Sequence, residues 1–431
     1  MKNSSYVPFI VSWFVFGSFS TNLNAESWPQ FRGPDRTGVS ASVDLLTSWP
    51  EDGPKRIWTA KGAGRGYSSL SFSGGRFFTL GDSPSTADDD QEYLSCFDQT
   101  DGRQIWKTKL GAAWKEGPDD WQSSRSTPTI DGNRIYVLTA HGDLCCGDAR
   151  RGDLLWSKNL KDDFGGKKGD GWGYSESILI DGDRLICTPG GSQKTMVALN
   201  KSNGELIWSA ARDDDRGAGH ASIVISEIDG IRIYVQTTAS GALGVRATDG
   251  ELMWSYEIDR TTAVIPTPIV RDDHVFFTAG YNRGGALLKQ KKVANNRVEI
   301  EEVYPLNKKL QNKHGGIVLV GNEIYGDSGD GGIPFCADLL TGKIHWKKRG
   351  SGKGSASVTS ADGHLYIWFS NGVIALAEAS KDSYQEISTF KIEEGGDRPA
   401  WAHPVVYEGR LYLRMDDQIF AFELRSQSDS Q

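Results

Sequence analysis

Beyond Phe19 the chain has no apolar run approaching the roughly 20 residues that span a bilayer as a helix, and no useful stretch repeats its apolar residues at the helical period. Those absences exclude a multi-span helical membrane protein and a helical bundle. Clustered positive charge is also missing. Against 48 Lys and Arg stand 56 Asp and Glu, a formal charge of −8. The one basic run, 289–292, is soon followed by Glu299, Glu301 and Glu302. Phosphate backbones draw on clustered cations, so no nucleic-acid partner is expected. Cysteine is scarce at five residues, and none forms the Cys-x-x-Cys-His sequence that attaches haem, so no fused electron acceptor is visible.

What is present begins with an address. Lys2 precedes a mostly apolar run at 7–19, and Leu23-Asn24-Ala25 ends in a small residue suited to signal-peptidase cleavage before Glu26. The expectation is a signal peptide at 1–25 and an exported protein, periplasmic or secreted, with no transmembrane segment after cleavage. A retained N-terminal anchor is the alternative.

The remaining chain is glycine-rich and tryptophan-rich, with 51 Gly and 14 Trp, and it repeats. The segments 96–106, 146–156, 198–208, 244–254 and 336–346 align without gaps. Each has a small residue ten positions before a Trp and a Gly four before it, and four have Asp or Asn eight before it. This reads as strand, tight turn, strand, with the Asp or Asn bonding turn amides and the Gly supplying positive φ. The Trp residues, Trp106, Trp156, Trp208, Trp254 and Trp346, are expected to cover apolar area between units as structural docking groups. Their spacings are 50, 52, 46 and 92. The last is a double step, which places a degenerate unit near Tyr304. Trp58 lies one step before the series and Phe390 one step after it, which makes eight.

Eight segments that read as strand, turn and β-rich strand give the same count, with Asp-Gly, Gly-Gly and Glu-Gly turns between them. Units of 40–50 residues with about four strands each predict an all-β fold, an eight-bladed β-propeller of four-stranded antiparallel blades. The last unit lacks a Trp strand of its own. Arg56-Ile57-Trp58-Thr59 is expected to supply it and close the ring, pairing an otherwise open edge. The division is then a signal peptide at 1–25, an N-terminal extension at 26–54, a propeller at 55–424 and a polar tail at 425–431. A monomer is expected.

The small-x-Asp-x-x-Thr-Gly-x-x-x-Trp pattern, clearest from Cys336-Ala337-Asp338 through Thr341-Gly342 to Trp346, resembles the tryptophan-docking motif of the pyrroloquinoline quinone repeat family. The opening Trp28-Pro29-Gln30-Phe31-Arg32-Gly33-Pro34 is similar to the start of secreted members without assigned activity. The resemblance covers nearly the whole mature chain. It implies one of two branches, quinoprotein dehydrogenases or non-catalytic propellers such as the lipoprotein subunit of the outer-membrane β-barrel assembly machine. No Cys precedes Cys96, so the lipid-anchoring cysteine of that subunit is missing. Cys96, Cys146 and Cys336 share one repeat position with Ala198 and Gly244 and read as small buried strand residues. The pair Cys145-Cys146 resembles the vicinal disulfide of some quinoprotein dehydrogenases, yet it lies inside a strand, where neighbouring side chains point to opposite faces. All five thiols are therefore expected to be free.

For function, the residues just before the innermost strands share one end of the channel. Tyr67, Arg125, Glu176, His220, Pro266, His314, Ser355 and His403 differ in type, as a binding face on a rigid scaffold requires. Trp121, Trp172, Tyr174, Lys353, Arg398 and Trp401 lie nearby. The predicted binding rim is Arg125, Trp172, Glu176, His220, His314, Lys353, Trp401 and His403, with no catalytic residue and no metal site assigned. Its imidazoles would make binding sensitive to pH near 6.5. The reading is a non-catalytic binding or scaffolding propeller of the cell envelope that takes an envelope protein, a peptide segment or a small polar ligand, with no cofactor. The alternatives are a dehydrogenase using pyrroloquinoline quinone with calcium, for which Glu176 and Asp330 are candidate carboxylates, and another propeller enzyme acting on a small polar or carbohydrate substrate.

Overall fold

In the computed structural model, residues 1, 27–83, 90–396 and 398–425 are described; the expected signal peptide, apart from Met1, and most of the polar tail lie outside them. Thirty-two strands form eight antiparallel four-stranded sheets. Blade 1 runs from the strand Ser71–Ser73 to Gln104–Ala112, blade 2 from Thr129–Asp131 to Leu154–Asn159, and blade 3 from Leu179–Asp181 to Leu206–Ala210. Blade 4 spans Val224–Ile228 to Leu252–Glu257, and blade 5 spans Ile269–Arg271 to Arg297–Asn307. Blade 6 runs from Val318–Val320 to Ile344–Lys347, and blade 7 from Ala356–Ala361 to Glu386–Lys391. Blade 8 holds Val405–Tyr407, Arg410–Met415 and Gln418–Glu423, and its fourth strand is Arg56–Lys61, paired with Gln418–Glu423. The ring therefore closes through the Trp58 strand. Among the described residues, no helix is long and apolar enough to cross a membrane.

Cross-strand pairing explains the small residue of the repeat. Cys96 faces Trp106, Cys146 faces Trp156, Ala198 faces Trp208, Gly244 faces Trp254 and Cys336 faces Trp346. A wide indole leaves room for only a small partner. Where the ring is smaller the partner grows: Leu287 faces Tyr304 and Ile374 faces Phe390. Each docking ring also reaches into the next blade. Trp58, Trp106, Trp156, Trp208 and Trp346 each donate their indole N–H to a backbone carbonyl there, at 2.8–3.2 Å. Tyr304 makes the same bond to Leu339 O through its hydroxyl at 2.8 Å. Trp254 departs from the pattern and donates to Gln290 Oε1. All five cysteines are buried and free.

The 26–54 extension has no counterpart in the repeat, and its described residues thread across the channel. Trp28 is buried and its carbonyl accepts the Phe72 amide of blade 1, while Pro29 O accepts Ile130 N of blade 2. The Arg36 guanidinium donates to Ser177 O and Ile178 O of blade 3 and to Ile223 O of blade 4. Arg32 reaches Ile317 O of blade 6 and, at 3.4 Å, His403 Nδ1 of blade 8. Gly38 and Ser40 bond Ser360 of blade 7. Seven blades thus hold one segment, which puts a floor in the channel.

Candidate functional site

A cavity of about 280 Å³ occupies the channel mouth, with Phe31 of the extension among its lining residues. Two layers of side chains line it, and both follow from the blade register. Four residues before the innermost strand stand Tyr67, Arg125, Ser175, His220, Ile265, His314 and Trp401 in blades 1–6 and 8, and all seven face the cavity. Two residues further along, Ser177, Ser222, Thr267, Gly316 and His403 form a second layer. That layer stitches neighbouring blades together. Ser69 N donates to Thr127 Oγ1 at 3.1 Å, Thr127 N to Ser177 Oγ at 2.9 Å, Ser177 N to Ser222 Oγ at 3.0 Å and Ser222 N to Thr267 Oγ1 at 3.1 Å.

Of the rim expected from sequence, Arg125, Trp172, His220, His314, Trp401 and His403 line this one cavity. Glu176 and Lys353 do not. Glu176 is one residue out of step with the mouth position, Ser175, and strand alternation sends its side chain the other way. There, 3% exposed, it accepts from Thr188 N and Oγ1 and from Gln236 Nε2. Burial pushes its pKa up to about 8. Pro266 is displaced from Ile265 by the same single step. Lys353 is exposed, with its amide donating to Asn371 Oδ1. Tyr281 and Lys313, which sequence reasoning did not single out, also line the cavity, Tyr281 from a loop without a repeat position and Lys313 from the residue before His314.

Aromatic rings make two walls. Trp121 and Trp172 meet edge to face at 5.6 Å, while Trp401 lies between Tyr67 at 4.9 Å and His314 at 4.5 Å. Phe31 packs on His403 at 4.9 Å. The imidazoles already have protein partners. His220 Nε2 lies 2.8 Å from Asp170 Oδ2 and its Nδ1 lies 2.7 Å from Ser175 Oγ. A neutral ring protonated at Nε2 fits both contacts, so Asp170 fixes the tautomer and Nδ1 accepts the Ser175 hydroxyl. His314 Nδ1 contacts Ser355 Oγ. Burial lowers the pKa of His220 to about 4, with the nearby Lys168 adding to the effect. Burial likewise brings His314 and His403 to about 3. The imidazoles are therefore neutral at pH 6.5, and the pH sensitivity expected there moves to more acid conditions. Burial opposes ionisation of Asp170, but His220 and Lys168 outweigh it and hold the pKa at about 2.

No Asp or Glu is among the lining residues. Calcium paired with a quinone would need hard oxygen ligands and a carboxylate base at the cavity. Glu176 is turned away, Asp170 is committed to His220, and Asp330, 61% exposed, is not among the lining residues. This donor set does not fit that cofactor pair.

Comparison with known proteins supports the fold first. The family model described as outer membrane protein assembly factor BamB matches residues 90–348. The outer membrane protein assembly factor BamB of Salmonella typhimurium is 24% identical over 111 residues, 25% of this chain and only 24% of that protein's own length. The crystal structure of BamB from Moraxella catarrhalis superposes with a TM-score of 0.59 at 16% identity, covering 86% of this chain and 98% of that one. The quinohemoprotein alcohol dehydrogenase of Comamonas testosteroni superposes with a TM-score of 0.61 at 11% identity, covering 94% of this chain and 81% of that one.

Proposed function

This chain belongs to the family of the outer membrane protein assembly factor BamB, and from that premise and the channel mouth we propose that it is an exported, non-catalytic binding propeller of the cell envelope. Its leader is 1–25, its plug lies in 26–54, and the propeller of 55–424 presents the floored cavity to a small polar ligand or a short segment of an envelope protein. The observation that carries the proposal is the mouth itself. Seven equivalent backbone positions bear seven side chains of six kinds around one closed-ended cavity. A repeat that served packing alone would use similar residues there, as the docking rings do between blades.

The dehydrogenase reading shares the fold but lacks support from the lining, which offers no carboxylate base. The Ser175, His220 and Asp170 chain has the order of a nucleophilic relay. Its imidazole is held too acidic to be an effective base near neutral pH, so we read it as a brace between blades 3 and 4.

The test is a fluorescence titration of the mature chain with monosaccharides and short peptides. One class should shift the tryptophan emission saturably, and Trp401→Ala should abolish the shift with an unchanged melting temperature. Saturable binding that survives both Trp401→Ala and Trp172→Ala would place the site elsewhere and overturn the proposal.

A further inference from the structure

The lining of the mouth is rich in donors and poor in acceptors, and this imbalance defines the ligand. Arg125, before blade 2, and Lys313, before blade 6, bring two cations from opposite sides of the ring to a lining without a carboxylate. Arg125 donates to Ser123 O at 3.2 Å and to Trp121 O. Among the described residues it has no ion-pair partner. Burial lowers its pKa to about 10. A half-buried guanidinium that meets two carbonyls and, at 5.8 Å, the face of the Tyr67 ring, with no carboxylate in contact, has lost hydration without gaining a full counter-charge, which favours any anion able to reach it. The one carboxylate that Lys313 meets, Asp330, is 61% exposed, and such a contact contributes little.

The belt beneath adds neutral donors. Ser177, Ser222 and Thr267 each accept a backbone amide from the neighbouring blade, as described above, and each hydroxyl keeps its own proton to donate. A ligand that answers this set must carry several oxygen acceptors around one body and at least one negative charge. The walls decide the body. Indole faces on two sides, in a cavity of about 280 Å³, leave room for one substituted ring and not for an extended chain. A flat aromatic acid would satisfy Arg125 but would leave the three belt hydroxyls facing a ring edge. A sugar ring offers C–H faces to the indoles and oxygens to the belt.

We therefore propose that the mouth binds a hexuronic acid, with the carboxylate between Arg125 and Lys313, the ring against Trp401 and the hydroxyl oxygens over Ser177, Ser222 and Thr267. This inference rests on the mouth being the binding site. The same chemistry is available from a free uronate or from the terminal residue of an acidic polysaccharide.

Calorimetry on the mature chain tests it with D-glucuronate, D-galacturonate, a galacturonate trimer, D-glucose and benzoate. One uronate, free or as the terminal residue of the trimer, should bind at least tenfold more tightly than glucose, and more tightly than benzoate. The free acid binding as well as the trimer assigns the monosaccharide as source, and a trimer-only signal assigns the polysaccharide end. Arg125→Gln should reduce uronate affinity to the level of glucose. Because Arg125 also bonds its own loop, Lys313→Gln serves as the second variant and should weaken uronates several-fold with an unchanged melting temperature. Glucose equal to the uronates, benzoate tighter than both, no uronate binding, or uronate affinity unchanged in both variants would each overturn the proposal. If peptides still bind in a Trp401-dependent way when uronates do not, the ligand class is wrong and the binding reading stands. If nothing binds, both fall.

Discussion

The Trp208 indole lies directly on the backbone of Gly250 in the following blade, so close that a Cβ there would sit 2.6 Å from the ring. The glycine is needed twice over, for its φ of 81° and for its missing side chain. The two blades are held by this contact, and either partner tests it. Trp208→Ala should cost about 3–5 kcal/mol, as large-to-small core changes do, and Gly250→Ala should cost about 1–3 kcal/mol through overpacking. Urea unfolding reads both. A loss below about 1 kcal/mol for Trp208→Ala would show that the ring is not core.

The plug makes its own prediction. Arg36 is 4% exposed and bonds three carbonyls on two blades. Arg36→Ala would leave those acceptors to chance water, at a cost on the order of 3 kcal/mol. If the floor instead frays independently of the propeller, the denaturation midpoint will not move, and proteolysis will release the extension from the folded wild type.

Much of this fold was legible in the sequence because the docking motif records a physical pairing. The small residue ten before each Trp is its cross-strand partner, so Cys96 and Trp106 had to recur together. Tyr304 and Phe390 could be placed by spacing despite the lost Trp. The plug was not legible. Arg32 and Arg36 bond backbone carbonyls, which carry no residue signature, and the extension has no repeat against which to align it. The rim was read to within one residue. That was enough for His220 and His314 but not for Glu176, since a step of one reverses the face. Lys313 stands one residue before the mouth position of His314, and Tyr281 sits on a loop outside the repeat, where spacing gives no guidance.

The buried channel imidazoles should oppose folding in mild acid. An unfolded His titrates near 6.5, whereas His220 is held at about 4 and His314 and His403 at about 3. Between those values the unfolded chain binds more protons, so stability rises with pH across that window and is lost as pH falls from about 6.5 towards 4. Glu176, raised to about 8, and Asp327, raised to about 7, act with the opposite sign, as does Glu92, whose pKa burial also raises. The double variant His314→Gln, His403→Gln should therefore gain stability relative to wild type as pH falls, in urea midpoints measured from pH 7 to 4.5. Parallel curves would mean that these imidazoles are solvated.

The thiols offer a further check. Burial raises the pKa of Cys96, Cys145 and Cys336 to about 12, and all five cysteines are enclosed. The folded protein should resist thiol reagents at pH 8 for hours, and unfolding without reductant should expose five reactive thiols. Three would point to a Cys145-Cys146 bridge.

The most direct test of the central claim is titration with pyrroloquinoline quinone, with and without calcium, followed by dye-linked alcohol oxidation. A mouth lined without carboxylates should show no calcium-dependent gain in quinone affinity and no alcohol-dependent dye reduction. Stoichiometric quinone binding that requires calcium, with turnover, would contradict the binding-propeller account.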